Sequence, residues 1–184
     1  LITFSCFLFA QEEAQPEVPG WGVYGGLGLM SSYGDDAPEE PEFNILPGGG
    51  VSGFLMAGPL PMQVGVGIHG RGVKTDLSGT EVSISANYLD FWATVPFLPV
   101  GPAFLSAGFQ VGTFLSGKSK FGDMETDLEK DDYALDYGLN FGAGYPIGDT
   151  GAQVGVMYLL GLAKHGGDDV DFKWNGIFLN AGYS

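Results

Sequence analysis

The chain has 184 residues, the size of one domain, and 45% of them are hydrophobic, yet after the first ten no run of about 18 apolar residues occurs, which argues against a helical membrane protein. Lysine and arginine total 7 against 22 aspartates and glutamates, a formal charge of −15, which excludes nucleic acid as a partner because that binding works by neutralising phosphates. The 32 glycines show no Gly-X-Y period, which excludes collagen; with 14% aromatics they suit strongly curved, closely packed strands.

Residues 1–10, LITFSCFLFA, form a short apolar run ending in Ala10 and are expected to be the remnant of a secretory signal peptide, cleaved after Ala10. Cys6, the only cysteine, lies in this run, so the mature chain is expected to have no disulfide. Residues 11–20, rich in Glu and Pro, read as a flexible leader, and residues 21–184 as one domain.

Eight segments then follow with strand patterning: Trp21 to Met30, Gly49 to Leu60, Met62 to Val73, Glu81 to Phe97, Ala103 to Ser116, Tyr133 to Tyr145, Ala152 to Leu162 and Lys173 to Tyr183. The clearest sets Tyr133, Leu135, Tyr137, Leu139, Phe141 and Tyr145 against Asp136, Gly138, Asn140, Gly142 and Gly144, a period of two with one greasy face and one small or polar face. In Glu81 to Phe97 the parity shifts near Asn87, which predicts a bulge. The connections alternate. Short ones carry Pro and Gly (residues 58–61, 98–102 and 146–151), and long ones carry acid (residues 32–50, 74–80, 116–132 and 163–172). Tight turns on the periplasmic side and long loops outside are the plan of an outer-membrane barrel. The predicted fold is all-β, an eight-stranded antiparallel up-and-down transmembrane β-barrel, located in the outer membrane of a Gram-negative cell. Trp21, Tyr33, Trp92, Phe97, Tyr133, Tyr145, Trp174 and Tyr183 fall near strand ends, where interfacial girdles are expected.

Tyr88-Leu89-Asp90-Phe91, followed by Pro99 to Gly117 (PVGPAFLSAGFQVGTFLSG), resembles the central hairpin of the PorT-like outer-membrane β-barrel family, and Leu139 to Gly148 with Gly176 to Tyr183 resembles its last strands. Asp90 stands where the family usually has Glu, and Ser184 follows Tyr183 where such chains often end on an aromatic. The resemblance implies an outer-membrane location and no defined activity.

An eight-stranded barrel has an interior that side chains can fill. Its expected polar cluster is His69, Arg71, Asp90, Asp136 and Asn140, with Gln110 beside it, and Arg71 is expected to pair with Asp90 or Asp136 because a buried charge needs a partner. The acidic loop surface is expected at Asp123, Glu125, Asp127, Glu129, Asp168 and Asp169. The spacing Asp123-x-Glu125-x-Asp127-x-Glu129 has oxygen ligands suited to Ca²⁺ but lacks the Gly and distal Glu of an EF-hand, so no metal site is assigned. No catalytic residue and no cofactor is assigned, and the chain is not expected to be an enzyme. His165, in the last loop with Ser116 and Ser119 in another, is the one constellation that a lipid-modifying enzyme would use. The leading expectation is a small outer-membrane protein with a structural, surface-display or docking role. The alternatives are a narrow channel or secretion-machinery subunit, and a lipid-modifying enzyme. Its partners are expected to be the lipid bilayer and lipopolysaccharide, divalent cations at the acidic loops, and a protein at the outer loops.

Overall fold

The computed structural model describes residues 20–58, 60–166 and 170–184. The signal remnant, nearly all of the leader, and Asp168 and Asp169 lie outside the described residues. Nine strands and one helical turn follow in chain order: β1 (Gly22–Tyr33), β2 (Glu42–Ala57), β3 (Leu60–Leu77), β4 (Thr80–Val100), β5 (Ala103–Phe121), β6 (Met124–Asp127), α1 (Lys130–Tyr133), β7 (Leu135–Pro146), β8 (Ala152–Gly161) and β9 (Lys173–Tyr183). Neighbours pair antiparallel from β1 to β5, then β5 with β7, β7 with β8, β8 with β9, and β9 with β1. Eight strands therefore close in a ring, which removes the sheet edges. The short ninth, β6, hangs from the far end of β5.

The alternation decides the faces. In β7, Leu135 and Phe141 are about half exposed on the outside, while Asp136 and Asn140 are 0% exposed on the inside. A soluble cup would reverse that polarity. Among the described residues of the ring, charged side chains are either inward (Arg71, Asp90, Asp136) or at the loop ends of their strands (Glu42, Lys74, Asp76, Glu81, Lys118, Lys120, Lys173). Between these lies an outer band of exposed Val, Leu, Ile and Phe side chains with no charge.

Several expectations are corrected. Residues 74–80 are not a long loop. β3 and β4 run on to a two-residue turn, Ser78 (φ 56) and Gly79 (φ 84), with Asp76 Oδ1 accepting the Gly79 N–H at 2.6 Å. Positive φ at both turn positions matches the twist of the flanking strands. Likewise β2 begins at Glu42 and β5 runs on to Phe121, so the expected loops 32–50 and 116–132 are largely strand, with β6 and α1 inside the second. The register does shift at Asn87, but the extra residue is Leu115 of β5, opposite a β4 whose parity is unbroken: Asn87 pairs with Ser116 and Tyr88 with Phe114. Beyond Thr113, its last pairing with β7, β5 continues to Phe121 beside β4, so this wall extends roughly 25 Å further along the strand at about 3.3 Å per residue.

The girdle expectation holds at one end only. Trp21, Phe97, Tyr145 and Tyr183 are exposed near the short turns. Trp174 and Tyr133 are buried, and Trp92 points inward. Trp92 belongs to the interior near the short turns, and Trp174 and Tyr133 to the interior at the loop end. There, Val73, Ala86, Tyr88, Phe114, Tyr133, Phe172 and Trp174 make a compact apolar cluster, with Ala37, Ile84, Leu128 and Val170 packed against it.

Candidate functional site

From the short-turn end inward, the barrel interior has three levels. The first is a cavity of about 70 Å³ whose lining mixes apolar side chains such as Phe104, Met157 and Phe178 with neutral polar ones such as Tyr24, Gln63 and Asn180. The second is a chain of buried hydrogen bonds across the lumen. Trp92 Nε1 donates to Tyr24 Oη (3.0 Å), and Tyr24 Oη meets His69 Nε2 (3.1 Å). His69 Nδ1 contacts Asp90 Oδ2 (2.7 Å), which also accepts from Arg71 Nη2 (2.8 Å). Arg71 Nε donates to Asp136 Oδ2 (3.1 Å), and Asp136 Oδ1 meets His165 Nε2 (3.3 Å). The third level is the aromatic cluster, which closes the loop end.

The expected cluster is thus assembled, with Arg71 paired to both carboxylates rather than one. Strand register brings this about. His69 of β3 pairs with Tyr88 of β4, and Gly112 of β5 lies between Asp90 of β4 and Asp136 of β7. Gly112 is required there, since a Cβ would land on Asp90 Oδ1. Asn140 and Gln110 are buried nearby, but the Asn140 amide makes no hydrogen bond with protein groups, so it lines the cluster without joining it. A small cavity of about 20 Å³ lies beside His69, Arg71 and Gln110.

His165 is misplaced by the sequence reading. It is not an exposed rim residue. It is 1% exposed, and its Nε2 is committed to Asp136. Ser116 faces out and accepts from Asn87 Nδ2 (3.3 Å), so the juxtaposition a lipid-modifying site needs, His165 with Ser116 or Ser119, does not form. Tyr88, Phe114, Phe172 and Trp174 were missed as interior groups. The signal for the first two was present: both share inward parity with Asp90 and Gly112.

At the loop end, Asp123 lies in the β5–β6 turn, and Asp127 of β6 stands opposite Lys118. Glu129 precedes α1. Glu125 takes Lys118 and also Lys120 (3.4 Å), and these hydrogen bonds, Lys118 first, hold its carboxyl below the usual range. Asp171 is held down in the same way by Lys164 (2.5 Å) and then Lys173 (2.7 Å). Among the described residues, no three His, Cys, Asp or Glu side chains converge as metal ligands.

No family model matches the chain, and no curated protein matches it. Solved structures do. Neisserial surface protein A is 9% identical with a TM-score of 0.62, the match covering 89% of this chain and 96% of that one. Ail, the attachment invasion locus protein of Yersinia pestis, solved with the heparin analogue sucrose octasulfate, is 15% identical with a TM-score of 0.46 over 89% and 96%. At 9% identity the first likeness speaks to fold alone, and the fold is that of a small outer-membrane β-barrel. It does not single out the PorT-like family.

Proposed function

We propose that this chain is a small integral outer-membrane protein with a structural and surface-display role, its short turns in the periplasm and its acidic loops outside, where they dock a partner. The observation that carries this is the charge-free apolar band around the ring, with outward charge on the described strands only at their loop ends. Burying such a band in water-free lipid is favourable, and the closed ring leaves no unpaired backbone edge within it. The loop end combines a tall β3–β4–β5 wall with carboxylates that outnumber the lysines, a surface suited to a cationic partner or to divalent cations bridging lipopolysaccharide phosphates. The channel reading is weakened by the interior itself, since the ion network and the aromatic cluster both lie across the lumen.

Two measurements test the proposal together. Protein extracted from the outer-membrane fraction is expected to migrate differently on an SDS gel before and after boiling, because a closed barrel unfolds slowly. A membrane-impermeant amine label applied to intact cells is expected to reach Lys118, Lys120 and Lys164, which are more than half exposed. Protein in the soluble fraction with no gel shift, or label reaching these lysines only after lysis, would overturn it.

A further inference from the structure

The wall that β3, β4 and β5 raise beyond the ring has two unlike faces. Cross-strand partners share a face, and so do alternate residues of one strand. On β4, Tyr88 and Ala86 line the barrel interior, and the parity runs unbroken through Ile84 and Val82 to Thr80. Val82 pairs with Phe121 of β5, Phe121 with Met124 of β6, and Thr80 with Leu77 of β3. The inward face is therefore apolar up to its tip. The outward face carries Lys74, Asp76, Glu81, Lys118, Lys120 and Glu125, which sets this part of the sheet beyond the apolar band. At its base the inward face is covered, with Val73, Ala86 and Phe114 in the aromatic cluster. At its tip it is open: Leu77 is 54% exposed, Phe121 48% and Met124 67%.

We propose that this tip face docks a basic amphipathic segment of another protein, which sets apolar side chains on Leu77, Phe121 and Met124 and its lysines or arginines against the carboxylates around them. The inference rests on the outer-membrane reading above and names the chemistry of the partner. A contiguous apolar surface in water, rimmed by polar groups, gains from being covered and marks an interaction site. The rim selects what covers it. The connections that adjoin the face, residues 34–41, 122–123 and 128–134, hold eight carboxylates and one lysine. Thr75, on the same face as Leu77, donates to the Glu40 carbonyl (3.4 Å), which places the first connection against β3. Asp123 lies in the turn between Phe121 and Met124. Leu128 packs on the cluster below the face and leads directly into Glu129, Asp131 and Asp132.

Charge also works against the other occupants. Two copies of a chain with formal charge −15 would meet acid to acid. Lipid tails lie against the outward face of a barrel, and this face has the parity of the interior. The two parts of the surface then divide the work. The apolar side chains hold a bound segment, and the carboxylates attract and orient it with a strength that salt reduces.

The test uses the barrel in phosphatidylcholine nanodiscs and a fluorescent amphipathic peptide made only of lysine and leucine, with empty nanodiscs as the blank. Binding is expected, read by anisotropy, and it is expected to weaken about tenfold when Phe121→Ser and Met124→Ser are combined. Lys118→Gln, on the charged face, is expected not to weaken it. A peptide with serine for every leucine and one with glutamate for every lysine are each expected to bind more weakly by a similar factor. In the wild-type chain the peptide is expected to shift the methyl signals of Leu77 and Met124 and to leave that of Leu139, in the apolar band, in place. Undiminished binding by the double variant, an equally tight serine peptide, or a shift at Leu139 without one at Met124 would each overturn the proposal. So would pairing of nanodiscs that Phe121→Ser abolishes, which assigns the face to a second copy. The methyl shifts decide the site even if the double variant does not fold. The SDS gel shift of the same preparation keeps the two readings apart: a barrel that shifts on the gel but binds no peptide sinks this inference alone.

Discussion

Arg71 works as a fork. Its Nη2 and Nε reach carboxylates on two different strands, so one guanidinium ties β3 to both β4 and β7 across the lumen. Arg71→Leu would leave two buried aspartates facing each other and is expected to destabilise the barrel by about 3–5 kcal/mol, measured as a shift in urea unfolding in micelles. Arg71→Lys, a point charge that cannot span both, is expected to fall between the two. If Arg71→Leu unfolds like the wild type, the ion network contributes nothing and the interior is held by packing alone. At this scale the sequence was informative where parity applied. Charged residues on the inward face had to find each other, and they do. It was silent on His165, which sits in an aperiodic stretch where nothing in the spacing indicates burial.

The β5–β6 hairpin illustrates what period-two patterning cannot tell. Ser116 to Asp127 is dense in Lys, Asp and Glu, and that composition looks like a solvated loop; yet Lys118 pairs with Asp127, Lys120 with Glu125 and Phe121 with Met124 as a regular ladder. Charge is tolerated because this part of the sheet lies beyond the apolar band. The Lys118 and Lys120 contacts depress the Glu125 carboxyl, so their contribution is present above the ordinary glutamate range, near pH ~4.3, and is lost as the pH falls through the lower folded-state value. The hairpin is expected to stay ordered through mild acid and to fray only below that range, read from carbonyl shifts of Glu125 with the barrel amides as internal control. Fraying at the ordinary glutamate range would mean the lysines do not hold it. High salt is expected to weaken the same contacts, since they are exposed and screened.

For the molecule as a whole, the ring closure, the strand count within the ring and the orientation of the faces were legible, because alternation and sorted connections act over the full chain. The filling of the loop end was not, because an aromatic near a strand end is consistent with a girdle outside or a plug inside, and its position near that end does not decide between them. Trp174 sits on the inward face of β9 with Gly176 and Phe178, and Tyr133 packs on Phe114 at 6.0 Å between ring centroids. The band itself makes a sharp prediction. Leu139→Arg places a charge on the outer face mid-strand and is expected to cost about 2–4 kcal/mol in lipid, seen as a smaller fraction of gel-shifted protein after refolding into vesicles. Asp149→Arg, in the β7–β8 turn outside the band, is expected to change little. Equal refolding of the two variants would show that the band is not a lipid face.

The lopsided distribution of charge also sets what a protease can see. No lysine or arginine occurs before Arg71, and Arg71 is buried in the ion network. The remaining basic residues, Lys74, Lys118, Lys120, Lys130, Lys164 and Lys173, all sit at the loop end. Within residues 1–184, trypsin added on the loop-end side of a sealed membrane therefore has every exposed lysine within reach, and added on the short-turn side it meets none of them. In these residues the barrel carries its own sidedness marker, and cleavage at the lysines reports which side of a bilayer the loop end faces.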